Sequence, residues 1–162
     1  MAGSGEAEEG DERMILAHVT VPLIIYGIFP QFNLLALLIG ANISSLDALP
    51  ILLRKVPPEN PIEETHAATI LHTLFFFLVT GLAIFPVFGA MAAVSFMIGG
   101  FTHIFLDALD EKGRMLFYPI SRKFYGPGIF TYDFWTYVTN RKIFALETTL
   151  FFISCILLIS RW

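Results

Sequence analysis

His103 and Asp107 are the two residues of this 162-residue sequence whose types and spacing most clearly suggest chemistry. They stand four positions apart, at the end of a long apolar run. On a helix this spacing places both side chains on one face, close enough to share a metal ion or a hydrogen bond. A histidine and a carboxylate beside an apolar run are costly to bury without partners. The pair therefore predicts further polar side chains near it in the fold.

The composition of the chain is that of a membrane protein. Hydrophobic residues make up 56% of it and charged residues only 15%, whereas about a quarter of a soluble domain is charged. The formal net charge is −4, but much of the acid lies in residues 1–13, which we interpret as a disordered acidic tail. The single cysteine, Cys155, excludes a disulfide framework and a cysteine-ligated metal site.

The apolar runs predict an all-α fold, a polytopic membrane protein with about five transmembrane helices in an up-and-down bundle. These helices would form one domain over residues 14–162, with spans at 14–29, 34–53, 67–85, 88–109 and 143–160. Asn33 is expected to cap the second span, and Pro86 marks the turn between the third and the fourth. Residues 110–142 form a polar, aromatic and basic segment between the last two spans.

The distribution of Lys and Arg predicts the orientation of this bundle. With short turns between the spans, the N-terminal tail, the 54–66 loop and the 110–142 segment share one side. Of the 10 basic residues, only Arg161 falls on the other side. By the positive-inside rule the basic side is cytoplasmic. We therefore expect a multi-pass protein of the cell membrane with a cytoplasmic N-terminus.

The same topology brings three more ionisable residues to the depth of the first pair. His18 lies near the start of span one, Asp47 toward the end of span two, and His72 near the start of span three. One helical turn advances about 5.4 Å, so all lie within a turn or two of the cytoplasmic face. Imidazole and carboxylate groups suit a divalent transition metal. The predicted ligands are His18, Asp47, His72, His103 and Asp107. One metal with a spare aspartate as general base, and two metals bridged by an aspartate, both remain open.

The stretch that begins at His103 also resembles a family signature. It reads His103-Ile-Phe-Leu-Asp107, then Gly113, then Leu116-Phe-Tyr-Pro119. This stretch resembles the pattern of the membrane-bound metal-dependent hydrolases. That pattern consists of a His, three residues, an Asp, a Gly and an apolar-aromatic pair before Pro. These proteins are also described as LexA-binding, inner-membrane-associated hydrolases. The sequence resembles the family over about residues 14–120.

Three further positions carry this resemblance. His18 matches an early histidine of the family, Asp47 matches the acidic motif that ends its second helix, and Leu71-His72-Thr73 matches a Thr-His-Ser motif in part. The acidic motif departs from the family's Pro-Asp-x-Asp pattern because it keeps one aspartate, which weakens a two-metal arrangement. The resemblance implies a divalent metal cofactor, zinc first, with manganese or iron as alternatives. A more distant similarity to zinc-dependent phospholipases C and single-strand nucleases suggests phosphoester hydrolysis, by analogy.

The aromatic and basic segment over residues 115–137 has two interpretations. It is either an aromatic belt at the cytoplasmic interface or a cap over the site, in which Arg122 and Lys123 bind the phosphate of a lipid head group. Glu147, one turn into the fifth span, faces either the site or the interface. Basic residues are too few and too scattered for nucleic-acid binding.

These observations predict a membrane-embedded metal-dependent hydrolase with its site at the cytoplasmic face. Its partners would be membrane lipids, and its substrate membrane-associated or amphipathic, for example a phosphoester lipid. Asp47 and Asp107 would be the catalytic carboxylates. Two alternatives are non-enzymatic: a small transporter or proton relay, and a membrane scaffold with a degenerate metal site. The polar groups lie near one face, whereas transporters place theirs at broken helices in the bilayer midplane.

Overall fold

The structure, a computed structural model, describes residues 17–47, 70–109, 113–128 and 141–160. This part of the chain is all-α apart from one isolated bridge between Arg114 and Tyr125. Its elements are helix α1 (Ala17–Ile28), helix α2 (Leu34–Asn42), a first 3-10 turn (Ile43–Asp47), a second 3-10 turn (Ile70–His72), helix α3 (Leu74–Ala108) and helix α4 (Arg141–Ile159). The all-α prediction is confirmed for these residues.

Short polar side chains set the ends of the helices. Asn33 caps α2 as predicted, since its side chain accepts a hydrogen bond of 3.0 Å from the Ala36 N–H. Regular α-helix ends at Asn42, before the predicted end of the span at residue 53, and becomes a 3-10 turn. The Asn42 side chain donates back to the Leu38 carbonyl (2.9 Å) and the Ser44 hydroxyl to the Leu71 carbonyl (2.7 Å). Such side chains compete for backbone groups, which disfavours further helix.

Helix α3 folds back on itself at Gly89, which has φ 82° and ψ 170°. A Cβ on Gly81 would lie 2.5 Å from Met97 Cγ, and both residues are eight positions from Gly89. The rings of Phe77 and Phe101, each twelve positions away, have centroids 6.4 Å apart. The two halves are therefore antiparallel arms, a first arm (residues 74–88) and a second arm (residues 90–108).

The turn between these arms lies three positions beyond the predicted one. Pro86 is inside the helical stretch, and the break occurs at Gly89. Proline fixes φ near −65°, which a helix tolerates, whereas a chain reversal requires a positive φ that glycine adopts at little cost. The prediction of a turn at Pro86 was wrong for this reason.

Glycines allow α2 and the second arm of α3 to pack with their backbones close together. A Cβ on Gly40 would overlap the Phe96 carbonyl, and a Cβ on Gly99 would overlap the Leu37 carbonyl. Small residues permit this approach in membrane helix pairs. The contact fixes the position of α2 against the second arm, and the candidate site depends on it.

Helix α1 packs in parallel on α4. At one end the Ala17 N–H donates a 3.1 Å hydrogen bond to Glu147 Oε1, and this carboxylate is fully buried. At the other end a Cβ on Gly27 would lie 2.8 Å from Leu157 Cβ. In each pair the two residues are 130 positions apart in sequence. This constant offset shows that the two helices run in the same direction.

By length and composition, α3 passes as a membrane-crossing helix among the described helices, but its 35 residues include the reversal at Gly89; the other apolar helices are shorter. Only 11% of the most apolar window of α3 is buried within the chain. Large side chains such as Leu82 and Phe88 are more than half exposed. A core helix of a soluble protein would bury these side chains, so the exposed apolar surface fits a lipid environment.

Candidate metal centre

Three imidazole rings meet one carboxylate at the end of the bundle where α3 finishes. His72 Nε2 lies 3.1 Å and His103 Nε2 3.3 Å from Asp107 Oδ2. His18 Nε2 lies 3.3 Å from the other carboxylate oxygen, Oδ1. The Nε2 atoms of His72 and His103 are 3.2 Å apart. The structure thus brings together four of the five residues that the sequence singles out as metal ligands.

This cluster is withdrawn from solvent. His72 and His103 are fully buried, and His18 and Asp107 are only 5% exposed. Polar groups at such depth destabilise the fold unless each has a partner. The four side chains serve as one another's partners, which explains how so apolar a chain tolerates them.

Three separate elements supply these side chains. His18 lies in the first turn of α1, His72 ends the second 3-10 turn, and His103 and Asp107 lie one turn apart near the end of α3. Directly after His72, Thr73 caps α3 by accepting a 3.1 Å hydrogen bond from the Phe76 N–H. The cap holds His72 at the start of the first arm, opposite the end of the second.

The packing of α2 fixes the orientation of His103. The Asn33 N–H donates to Ser95 Oγ (2.8 Å), and Ala41 O lies 2.6 Å from His103 Nδ1. In each pair the two residues are 62 positions apart in sequence, so α2 and the second arm are parallel and in constant register. Because a carbonyl can only accept, Nδ1 carries a proton, and Nε2 is the ring atom left to face the cluster and to bind a metal when it is unprotonated. Metal-ligating histidines are commonly oriented by this kind of bond.

The spacing of the donor atoms fits a divalent metal. His72 Nε2, His103 Nε2 and Asp107 Oδ2 form a triangle with sides of 3.1, 3.2 and 3.3 Å. Ligands at about 2.0–2.1 Å from a tetrahedral zinc lie about 3.3 Å from one another. Three donors therefore already have the separations of one face of a zinc coordination tetrahedron.

His18 completes the cluster from α1. Its ring centroid lies 4.2 Å from that of His103, and the candidate ligand atoms of His18, His103 and Asp107 all lie within 4.8 Å of one another. Among the described residues its Nδ1 is buried without a hydrogen-bond partner. The approach of Nε2 to Asp107 Oδ1 and the contact with the His103 ring orient His18. It lacks the Nδ1 bond to a carbonyl that His103 has.

A buried arginine also contacts the carboxylate. Arg114 Nε donates to Asp107 Oδ2 over 3.3 Å, and Nη1 donates to the Gly113 carbonyl over 3.2 Å. Arg114 is 4% exposed. Its cationic charge compensates the buried negative charge of Asp107.

The loop over residues 113–128 holds this arginine in place. The Arg114 N–H donates to the Tyr125 carbonyl (2.9 Å) and the Tyr125 N–H to the Arg114 carbonyl (2.8 Å). The Leu74 N–H, at the start of the first arm, donates to the Leu116 carbonyl (3.0 Å). The loop therefore packs against the end of the bundle that contains the histidines.

Comparison with known proteins places the chain in a family. The family model described as YdjM inner membrane protein matches residues 12–162, which is nearly the whole chain. The chain belongs to the YdjM inner membrane protein family. No curated protein and no solved structure shows a significant match to it. The YdjM match extends beyond residue 120, where the resemblance noted from the sequence ended, and it includes the loop and α4.

The structure does not bring the three other predicted site residues into the described cluster. Asp47 ends the first 3-10 turn, which contacts the turn carrying His72, and its side chain lies outside the described part of the structure. Arg122 and Lys123 are exposed on the 113–128 loop. The arginine that contacts the cluster is instead Arg114.

The sequence did not indicate that Arg114 contacts the cluster, and it left the place of Glu147 open. Arg114 follows directly after Gly113, the glycine of the signature, and that adjacency was the available signal. Gly113 has φ +64°, which few other residues adopt readily. Glu147 contacts the start of α1, one residue before His18.

Proposed function

We propose that this protein is a membrane-embedded metal-dependent hydrolase. The observation that carries the proposal is the buried convergence of His18, His72 and His103 on Asp107, with donor separations of 3.1–3.3 Å. Membership of an inner membrane protein family supports the location. Zinc is the first candidate for the metal because nitrogen-rich, four-donor sites suit it, with manganese or iron as alternatives.

Different residues of the site would have different roles. The three imidazoles and Asp107 are the donors that would be available to the metal. A catalytic zinc is held by three protein ligands and keeps one position for water, which it would activate as a Lewis acid. Asp107 contacts partners through both of its oxygens, so it acts as a ligand rather than as a general base. Asp47, on a turn beside that of His72, is our candidate for the base.

The surroundings favour an amphipathic substrate. The helices expose large apolar side chains outward, and the 113–128 loop at the site end carries the exposed cations Arg122 and Lys123. Cations beside a lipid surface attract anionic head groups. A phosphoester lipid presents both an anionic head and apolar chains. We also propose the five-span topology, with the site and the N-terminus on the cytoplasmic side.

Metal analysis of the purified protein tests this function. We expect about one equivalent of metal in the wild type, and loss of it in His103→Ala and Asp107→Ala. Thr149→Ala is the control, because this exposed polar side chain lies on α4, outside the cluster. Hydrolysis of a phosphodiester lipid should stop with a chelator and return with the metal. A wild type without stoichiometric metal would falsify the proposal.

A proton relay is the second candidate, and one observation favours it. The chain His18–Asp107–His72–His103 is continuous, with each approach between 3.1 and 3.3 Å, as a proton path requires. Proton flux into liposomes that depends on His103, from protein without metal, would support the relay. Absence of both metal and flux would leave the scaffold with a degenerate site.

A further inference from the structure

Arg114 is the one cation that the described part of the structure places against the cluster. Its Nε shares Asp107 Oδ2 with His72 Nε2 and His103 Nε2, at 3.3, 3.1 and 3.3 Å. Oδ2 is also the oxygen that completes the triangle of donors with zinc-like separations. Arg114 therefore acts on the oxygen that would bind the metal.

The backbone around Arg114 restricts where its side chain can go. The pair of hydrogen bonds with Tyr125 holds both its N–H and its carbonyl. Gly113 turns the chain just before it, and a Cβ at Gly113 would lie 2.8 Å from the Tyr125 carbonyl oxygen. The Arg114 Nη1 bond to the Gly113 carbonyl fixes the guanidinium plane. A fixed, planar donor can orient a carboxylate, whereas a flexible ammonium group cannot do so equally well.

Two physical effects of Arg114 on a bound metal oppose each other. Its hydrogen bond orients a ligand, and loss of such a bond typically lowers metal affinity about 10- to 100-fold. Its positive charge repels a divalent cation, so removal of the charge alone would raise the affinity. Arginine-to-lysine exchange separates the two effects, since it keeps the charge and removes the planar donor.

We propose that Arg114 is a positioning residue of the metal site, which holds Asp107 with Oδ2 turned toward His72 and His103. This inference rests on the proposed metal-dependent function. The 113–128 loop then serves as the frame that carries the arginine, and Arg122 and Lys123 have no part in forming the centre.

Titration of metal-free protein with Co²⁺ tests the role of Arg114. Co²⁺ reports affinity and, by its visible absorption, the coordination geometry. We expect Arg114→Lys to bind about 10- to 100-fold more weakly than the wild type, with an altered spectrum. Arg114→Gln, which keeps a planar amide donor without the charge, should lose less affinity than Arg114→Lys. Arg141→Lys, the same exchange at an exposed position on α4, should match the wild type.

The outcomes separate this inference from the proposed function. If the wild type binds no Co²⁺, the metal-dependent function and the role of Arg114 both fall. If the wild type binds and Arg114→Lys has the same affinity and spectrum, only the role of Arg114 falls. Tighter binding by Arg114→Gln than by the wild type would show that charge repulsion dominates, and it also overturns the proposal. Thermal unfolding of the metal-free variants verifies that each one is folded.

Discussion

At the scale of single residues, the cluster brings the Nε2 atoms of three imidazoles to the oxygens of one carboxylate. His103 achieves this through its Nδ1–H bond to the Ala41 carbonyl. Arg114 holds Asp107 in place through its hydrogen bond to Oδ2. The four ionisable groups could be buried in so apolar a chain because each meets a partner of complementary charge or hydrogen-bonding character. The same mutual satisfaction makes each group sensitive to loss of another.

Metal binding should weaken as the pH is lowered. Imidazole binds a metal only through a deprotonated nitrogen, so protons compete with the metal for His18, His72 and His103. We expect the metal affinity to be lower at pH 5.5 than at pH 7.5, and we expect metal binding to release protons. Calorimetry in buffers of different ionisation enthalpy measures both the affinity and the number of protons released. A pH-independent affinity would show that the imidazoles are not the ligands. Asp107→Asn should weaken binding at both pH values by more than the loss of a residue that only orients a ligand does, thus more than about 100-fold.

Much of this cluster could be predicted from the sequence, and the reason is topological. Polar residues at the same depth of an up-and-down bundle are expected to pair with one another. This indicated that His18, Asp47, His72, His103 and Asp107 belong together, and the described residues bring four of these five together. Arg114 was missed because its role depends on the turn at Gly113 and on the bridge to Tyr125. Long-range backbone pairing of that kind leaves little trace in local sequence patterns.

At the scale of elements, the approach of α2 to the second arm of α3 positions His103. The helices meet where Gly99 lies against the Leu37 carbonyl and Gly40 against the Phe96 carbonyl. The sequence showed that the fourth run is rich in small residues, but not which helix it meets. That choice depends on the register set by Asn33 and Ser95.

Gly99→Ala should disturb the site although Gly99 is not one of the residues that form it. Its new Cβ would meet the Leu37 backbone, which cannot rotate away, so α2 must move and the Ala41 carbonyl with it. We expect a loss of stability of about 1–3 kcal/mol together with weaker metal binding. Gly81→Ala is the matched control, because its Cβ would meet the flexible side chain of Met97. Thermal unfolding and metal titration of both variants check this, and equal effects would contradict it.

At the scale of the whole molecule, helix directions agree with an up-and-down arrangement. The constant sequence offsets show that α1 runs parallel to α4, and α2 parallel to the second arm of α3. The arms of α3 are antiparallel about Gly89. All four members of the cluster fall at one end of the described helices.

Cysteine labelling tests the proposed topology. In a Cys155→Ser background, we place one cysteine at Ser4, in the acidic tail, or at Ser160, at the end of α4. With an odd number of spans the two sites lie on opposite sides of the membrane. A membrane-impermeant maleimide applied from outside should label position 160 in intact cells, and position 4 only after permeabilisation. Labelling of both positions from the same side would rule out five spans.

The reversal at Gly89 has a mechanical consequence for the cluster at the other end of the hairpin. His72 is 17 positions before Gly89 and His103 14 positions after it, so each arm is a lever of about 21–26 Å at 1.5 Å per residue. A change of about 5° in the angle between the arms would then move their tips apart by about 2 Å, enough to separate Nε2 atoms now 3.2 Å apart. A small bending force at the turn, such as one from a change in bilayer thickness, would therefore cause its largest displacement where the histidines meet.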